Sequence, residues 1–248
     1  MSIAQPPPPR FYYSAPAPCP YVEGRTERRI FADLSGPAAA FSYELLSEAG
    51  FRRSLGFAYR PACPGCNACV PVRIPVAEFT LGRAWRRVIA RNADLSIAWA
   101  PPRATSEQYA LFHRYQLGRH GDGDMASMDA SDYRSMVEVG GVDSGIAEFR
   151  DASGTLLAAC LADRMERGIS AVYTFFDPGQ QARSLGTRAV LWLVEQAAAG
   201  GMDHVYLGFW IRESRKMAYK ARFRPLETLT AAGWTRLGED DAGPGPGP

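Results

Sequence analysis

Three apolar runs, at residues 146–150, 156–162 and 169–176, constrain this chain more than any other feature. Asp151-Ala-Ser-Gly154 and Glu166-Arg-Gly168 separate them, and apolar runs parted by short Gly-containing turns predict an antiparallel meander. The pattern then changes. Residues 186–199 carry a helical pattern that stops at Gly200-Gly201, 204–209 form another strand, and 213–221 another helix. Residues 226–230 and 234–237 supply the closing strands. Three strands, a helix, a strand, a helix and final strands make an α+β fold, a mixed sheet with flanking helices.

The upstream half reads differently. Helices are expected at 37–50, 106–117 and 131–139, and extended pieces at 57–60 and 70–76 are studded with Pro and Cys. The texture changes at Pro101-Pro102, which predicts a small Cys-containing part over 11–100 and a second part, which becomes a sheet, over 101–237. Pro6 to Pro9 and the Gly-Pro run after Gly238 predict disordered tails at 1–10 and 238–248.

With 248 residues, 46% of them hydrophobic, the chain can bury a substantial core. No segment approaches the roughly 18 apolar residues of a membrane span, and the start carries no secretory pattern, so a cytoplasmic protein is expected. The net charge of +2 announces no polyanionic partner; local clusters have to make that case.

Cys63-Pro-Gly-Cys66-Asn-Ala-Cys69 places three thiols at intervals of three in a Pro- and Gly-containing loop, the spacing of a zinc or iron-sulfur site. Cys19, between two prolines, is the better fourth ligand, because Cys160 falls inside an apolar strand. Four thiolates leave no open position for substrate, so the expected role of such a metal is structural. Free cysteines in a rigid loop are the alternative.

Arg83, Arg86, Arg87 and Arg91 recur at helical spacing, with Trp85, Val88 and Ile89 on another face. A second cluster, Arg212, Arg215, Lys216, Lys220, Arg222 and Arg224, is interleaved with Trp210, Tyr219 and Phe223. Cations beside flat rings suit phosphate contact and base stacking, and solvated helix faces are the plainer alternative.

Tyr173-Thr-Phe-Phe-Asp177-Pro-Gly, followed by Arg183-Ser-Leu-Gly186-Thr-Arg188, joins a strand to a helix whose first free N–H groups can hold an anion or a developing oxyanion. The element order is similar to the second half of a GNAT acyltransferase, whose related turn covers the pyrophosphate of acetyl-CoA. Here Arg188 stands at the last small position of that turn, where its bulk would crowd coenzyme A, and no coenzyme A is expected.

These motifs, with Tyr206-Leu-Gly-Phe-Trp-Ile211 and Lys216-Met-Ala-Tyr-Lys-Ala-Arg-Phe-Arg-Pro225, resemble the arginyl-tRNA-protein transferases. Cys19-Pro-Tyr21, Gly24-Arg-Thr-Glu-Arg-Arg-Ile-Phe-Ala-Asp33, Gly50-Phe-Arg-Arg-Ser54 and the stretch from Tyr59 to Ile74 resemble the bacterial branch, whose members move leucine onto N-terminal Asp or Glu. The resemblance covers about residues 11–237 and implies a GNAT-like transferase part that uses aminoacyl-tRNA in place of acetyl-CoA. One departure stands out: eukaryotic relatives carry Cys-x-x-Cys near the N-terminus, and Val22 occupies the second position here.

The implied reaction starts from an ester already activated by tRNA charging and an α-amine of pKa ~7.7–8, so positioning and oxyanion stabilisation matter more than acid-base power. Ser184 and Gly186 are the candidates for oxyanion contacts, Asp177 for orienting the incoming ammonium, and Tyr219 for protonating the leaving ribose oxygen. Arg83, Arg86, Arg87, Arg91, Arg188, Lys216 and Lys220 are the candidate tRNA contacts. An acidic acceptor terminus needs a cation, for which Arg52, Arg53 and Arg73 are candidates. Leucine is the expected donor residue with arginine second; an acetyl-CoA-dependent N-acetyltransferase and a metal-sensing RNA-binding module are the rival readings.

Overall fold

The computed structural model describes residues 9–36, 38–120, 123–214 and 216–238. Pro37, expected to open the first helix, Arg215 of the second basic cluster, and nearly all of both expected tails lie outside the described residues. The elements in chain order are β1 (Phe11–Tyr13), β2 (Ala17–Pro18), β3 (Thr26–Glu27), β4 (Arg29–Asp33), α1 (Ala39–Glu48), β5 (Arg52–Ser54), β6 (Phe57–Pro61), β7 (Val70–Pro75), α2 (Arg83–Arg91), β8 (Ser96–Ala100), α3 (Ser106–His120) and α4 (Ala130–Glu138). Then follow β9 (Asp143–Arg150), β10 (Leu156–Arg164), β11 (Gly168–Phe176), α5 (Leu185–Ala199), β12 (His204–Trp210), β13 (Glu227–Thr230) and β14 (Gly233–Arg236).

The meander is present: β9, β10 and β11 pair antiparallel, and β12 returns parallel to β11 after the α5 crossover. Every residue of β10 except Arg164 is buried, as befits a strand covered on both faces. Ala158, Cys160 and Ala162 face a core shared with α5, Trp85 and Phe223, while Leu156, Ala159 and Leu161 face Phe112, Tyr133 and other residues of α3 and α4. The result is the expected mixed α+β layer.

The expected boundary at residue 100 does not separate two sheets. The large sheet runs β14-β13-β7-β12-β11-β10-β9-β8, so β7 and β8, both upstream of that boundary, are strands of it. Val72 and Ile74 explain why: they are wholly apolar, and burying them requires the gap between β12 and β13. What remains as a separate N-terminal layer is the four-stranded sheet β1-β4-β6-β5 with α1. It packs through Ala32, Leu34, Tyr43 and Leu46 against Met165 and Tyr206 of the large sheet.

Among the described residues of the helix expected at 213–221 there is no α-helix, only turns before one 3-10 turn, Ala218–Arg222. Its charged residues leave no apolar stripe at helical spacing to bury, and only Lys220 and Ala221 of the turn are inside.

Candidate functional site at the fork of the large sheet

The parallel pair β11 and β12 is joined only at Gly168/His204, Ile169/Val205 and Ser170/Tyr206. Beyond those positions β12 pairs with β7 alone, and the two strands part as a fork that opens at their carboxyl ends. Such a divergence leaves backbone carbonyls without ladder partners. Two basic side chains meet them. Arg52 Nη2 donates to the Val172 carbonyl at 2.6 Å, and Lys220 Nζ donates to the Phe209 carbonyl at 2.6 Å.

Gly208 makes the seat for Arg52. It sits at φ +72° at an irregularity in the β12 register, and a Cβ there would lie 3.2 Å from Arg52 Nη1. The pKa of Arg52 is raised, chiefly by Tyr59, with Tyr21, Tyr43 and Tyr219 adding, and no carboxylate is among these influences. Lys220 is buried, its second contact is the Met217 sulfur at 3.5 Å, and burial followed by the Arg52 charge holds its amine well below the ordinary lysine range.

The other two arginines considered for an acidic acceptor are committed elsewhere, which corrects that expectation. Arg53 is fully buried, gripping both oxygens of Asp163 at 2.8 Å, with Ser144 completing the cluster. Arg73 bridges Glu48 and Glu227, both at 2.8 Å, and stacks on Trp234.

The strand-to-helix turn follows directly on the carboxyl end of β11. Asp177 caps its own turn by accepting from the Gly179 N–H at 2.8 Å. Ser184 lies in the left-handed region at φ 56°, an uncommon strain for a residue with a side chain, and its side chain caps nothing. Gly186 packs so closely on Phe176 that a Cβ would sit 3.1 Å from the ring. The backbone N–H groups of the first turn of α5 therefore begin beside the fork. Tyr219 is 38% exposed, with Phe223 edge-on, and burial of its hydroxyl pushes the phenol up to about 12.

The basic clusters separate into surface and interior. Arg83, Arg86, Arg87 and Arg91 are exposed on α2, and Arg91 donates to the Ala182 carbonyl just before Ser184. Trp85 stacks on Phe223 at 4.9 Å, and the Arg222 cation lies over the same Trp85, so α2 and the 216–224 segment form one continuous surface with Lys216 exposed on it. Arg188 and Lys220 do not belong to that surface. Arg188 is buried and paired with Glu195 at 3.1 Å, seven residues along the same helix, and Lys220 turns inward to Phe209. The crowding expected of Arg188 over the turn is therefore not its role.

Cys19, Cys63, Cys66 and Cys69 line a cavity of about 480 Å³ together with Tyr21, Arg29, Tyr59 and Phe209. Burial, with Cys19, Cys63 and Cys66 adding, pushes the Cys69 thiol up to about 12, whereas the Ala68 N–H and then the Arg25 side chain lower that of Cys66. Four thiols in one cavity are the right donors in kind for zinc or a cluster. Yet among the described residues no three His, Cys, Asp or Glu side chains are gathered closely enough to hold an ion. The ligand shell is not preformed, and no step of the chemistry below passes through a metal. Cys160 lies in the main core, accepting from the Thr174 hydroxyl.

Sequence reasoning missed the Tyr59 ring beneath Arg52 and the seat at Gly208. A glycine inside the apolar run Tyr206-Leu-Gly-Phe-Trp was the available signal, because glycine within a strand marks a bulge or a close approach.

The descriptions "Arginine-tRNA-protein transferase, N terminus" and "Arginine-tRNA-protein transferase, C terminus" match residues 17–87 and 107–230. The chain belongs to the arginine-tRNA-protein transferase family and is an aminoacyltransferase. It is 54% identical over 231 residues to the aspartate/glutamate leucyltransferase of Paramagnetospirillum magneticum, spanning 93% of this chain and 95% of that protein. The enzyme of the same name from Rhodospirillum rubrum is 52% identical, over 92% of this chain and 94% of that protein. Among solved structures, the chain is similar to the C-terminal domain of a putative lysylphosphatidylglycerol synthetase from Agrobacterium fabrum, with TM-score 0.49 and 15% identity over 82% of this chain and 67% of that one.

Proposed function

We propose that this enzyme transfers leucine from leucyl-tRNA to the α-amine of proteins that begin with Asp or Glu, marking them for N-end-rule degradation in the cytoplasm. Identity of 50% or more over nearly the whole length to enzymes named aspartate/glutamate leucyltransferase carries the reading. No helix among the described residues is long and apolar enough to cross a membrane.

In the reaction the α-amine attacks the leucyl ester carbonyl. A carbon–nitrogen bond forms, the ester bond to the ribose breaks, and the amine proton leaves to the ribose oxygen. The first-turn N–H groups at Leu185 and Gly186 are suited to the oxyanion, since a donor fixed in advance costs no reorganisation during attack. Ser184 holds that turn in its left-handed entry. The Asp177 carboxylate is suited to hold the incoming ammonium, and the Tyr219 phenol to follow the departing ribose oxygen. The joined surface of α2, Lys216 and Arg222 would carry the tRNA backbone up to the mouth of the fork. The four cavity cysteines are proposed as ligands of one structural metal ion, zinc before an iron-sulfur cluster.

Incubation with tRNA charged with labelled leucine or arginine, and with peptides beginning with Asp, Glu or Ala, tests the proposal. Leucine should label the acidic peptides and spare the Ala peptide. Arginine labelling alone would overturn the donor, and acetylation from acetyl-CoA without either labelling would overturn the class of donor. For the metal, elemental analysis should find about one ion per chain, lost in Cys66→Ser and kept in Cys160→Ser; equal contents in wild type and Cys66→Ser would overturn the ligand set.

A further inference from the structure

We infer that the Arg52 guanidinium, seated in the fork between β11 and β12, reads the side-chain carboxylate of the acceptor's N-terminal Asp or Glu. The inference rests on the function proposed above and narrows it to one subsite.

Charge accounting comes first. Arg53 is matched by Asp163 and Arg73 by Glu48 and Glu227, so neither has an unmatched charge to offer. Arg52 is half-buried, and no ion pair to it is found among the described residues; its contacts are the Val172 carbonyl and the Tyr59 ring. One of its donors is fixed on Val172, while its Nε is buried without a hydrogen-bond partner. A half-buried guanidinium with one N–H buried and unpaired is costly unless an anion joins it, and such uncompensated charge is a mark of a binding site.

The backbone is shaped for this cation. A glycine in the left-handed region of a strand, where any Cβ would press on the guanidinium, gives Arg52 its place between the parted strands. A planar cation with parallel N–H groups matches the two oxygens of a carboxylate. Tyr59, which lies under the Arg52 cation, also walls the 480 Å³ cysteine-lined cavity, which Arg52 itself does not line. A tRNA phosphate is the competing anion. The exposed arginines of α2 suit that backbone better than a half-buried seat over the Tyr59 ring.

The test compares peptides beginning with Asp or Glu against peptides beginning with Asn or Gln, in wild type and Arg52→Gln, together with tRNA affinity. Wild type should prefer the acids, and failure at that step would count against the proposed function itself. Arg52→Gln should raise KM for acidic peptides by roughly 10- to 100-fold, the size of a hydrogen bond to a charged group, with kcat little changed and the amide peptides and tRNA affinity unaffected. Arg52→Lys, keeping the cation without the paired donors, should recover part of the preference. Equal losses for acidic and amide peptides, or a fall in tRNA affinity instead, would overturn the assignment. In unmodified protein, an Asp peptide should slow phenylglyoxal modification of Arg52, read by mass spectrometry, and an Asn peptide should not; equal protection by the two would also overturn it.

Discussion

Arg52 and Arg53 are neighbours on one short strand, yet they serve opposite ends. On one side of β5 the charge is closed: Arg53, Asp163 and Ser144 satisfy one another in a place from which water is excluded. On the other it is open: Arg52 caps a strand carbonyl and lies over the Tyr59 ring. The lesson is that a basic residue in a nearly neutral protein is informative about ligands only after its acids have been located. The same division separates Arg73 and Arg188, both paired, from the unburied arginines of α2.

The largest effect should come from opening the closed side. Arg53→Gln leaves Asp163 buried without its cation, and breaking a buried pair by removing one partner costs about 3–5 kcal/mol. Urea denaturation should show that loss, with activity falling for every acceptor because the fold falls with it. A stability loss under about 1 kcal/mol would break the comparison.

Next comes the surface. Replacing Arg83, Arg86 and Arg87 by Ala should lower tRNA affinity by roughly an order of magnitude or more at moderate salt and flatten the log-log salt slope by about 0.7–0.9 for each phosphate no longer neutralised. Thermal stability should hardly move, since these side chains are solvated. An unchanged slope would return α2 to the status of a solvated face.

Arg188→Met sharpens the same contrast from within. Its pair with Glu195 is inside on the arginine side but 37% exposed on the other, so the expected cost is about 1 kcal/mol or less, with no change in the tRNA salt slope. A reduced slope would show that Arg188 reaches phosphate after all.

The parts of this arrangement were unequally visible in the sequence. The meander, the α5 crossover and the strand after it were legible because apolar period and Gly turns are local signals. The place of β7 was not: Val70-Pro-Val-Arg-Ile reads as an extended piece of the Cys-containing part, and only pairing with β12 and β13, far away in the chain, makes it a central strand of the large sheet. The arginines were legible as candidates by type, but whether each charge is free depends on acids 110 or 154 residues away, as Arg53–Asp163 and Arg73–Glu227 show. For Lys220, spacing suggested a surface cation; the collapse of the expected helix into a single 3-10 turn is what points it inward.

The smallest expected effect lies where the closed network around Arg73 borders a histidine. His204 is half-buried at the start of β12, with Glu227 at 3.8 Å, yet burial and then the Arg73 charge lower its pKa below the ordinary imidazole value of 6.5. As the pH falls from about 6.5, the unfolded chain takes up the proton before the folded one does. Stability is therefore full above about pH 6.5 and is lost progressively down to the depressed folded value, after which the loss stops growing. The slope should stay well under the ~1.4 kcal/mol per pH unit of one fully differential proton, because Glu227 opposes the shift. His204→Asn should remove this part of the pH dependence while leaving stability at pH 8 nearly unchanged, as urea titrations at pH 5.5, 6.5 and 8 would show. A wild-type protein that gains stability over this range on acidification, with the gain lost in His204→Asn, would mean that Glu227 outweighs Arg73 and that the network keeps an unmatched negative charge.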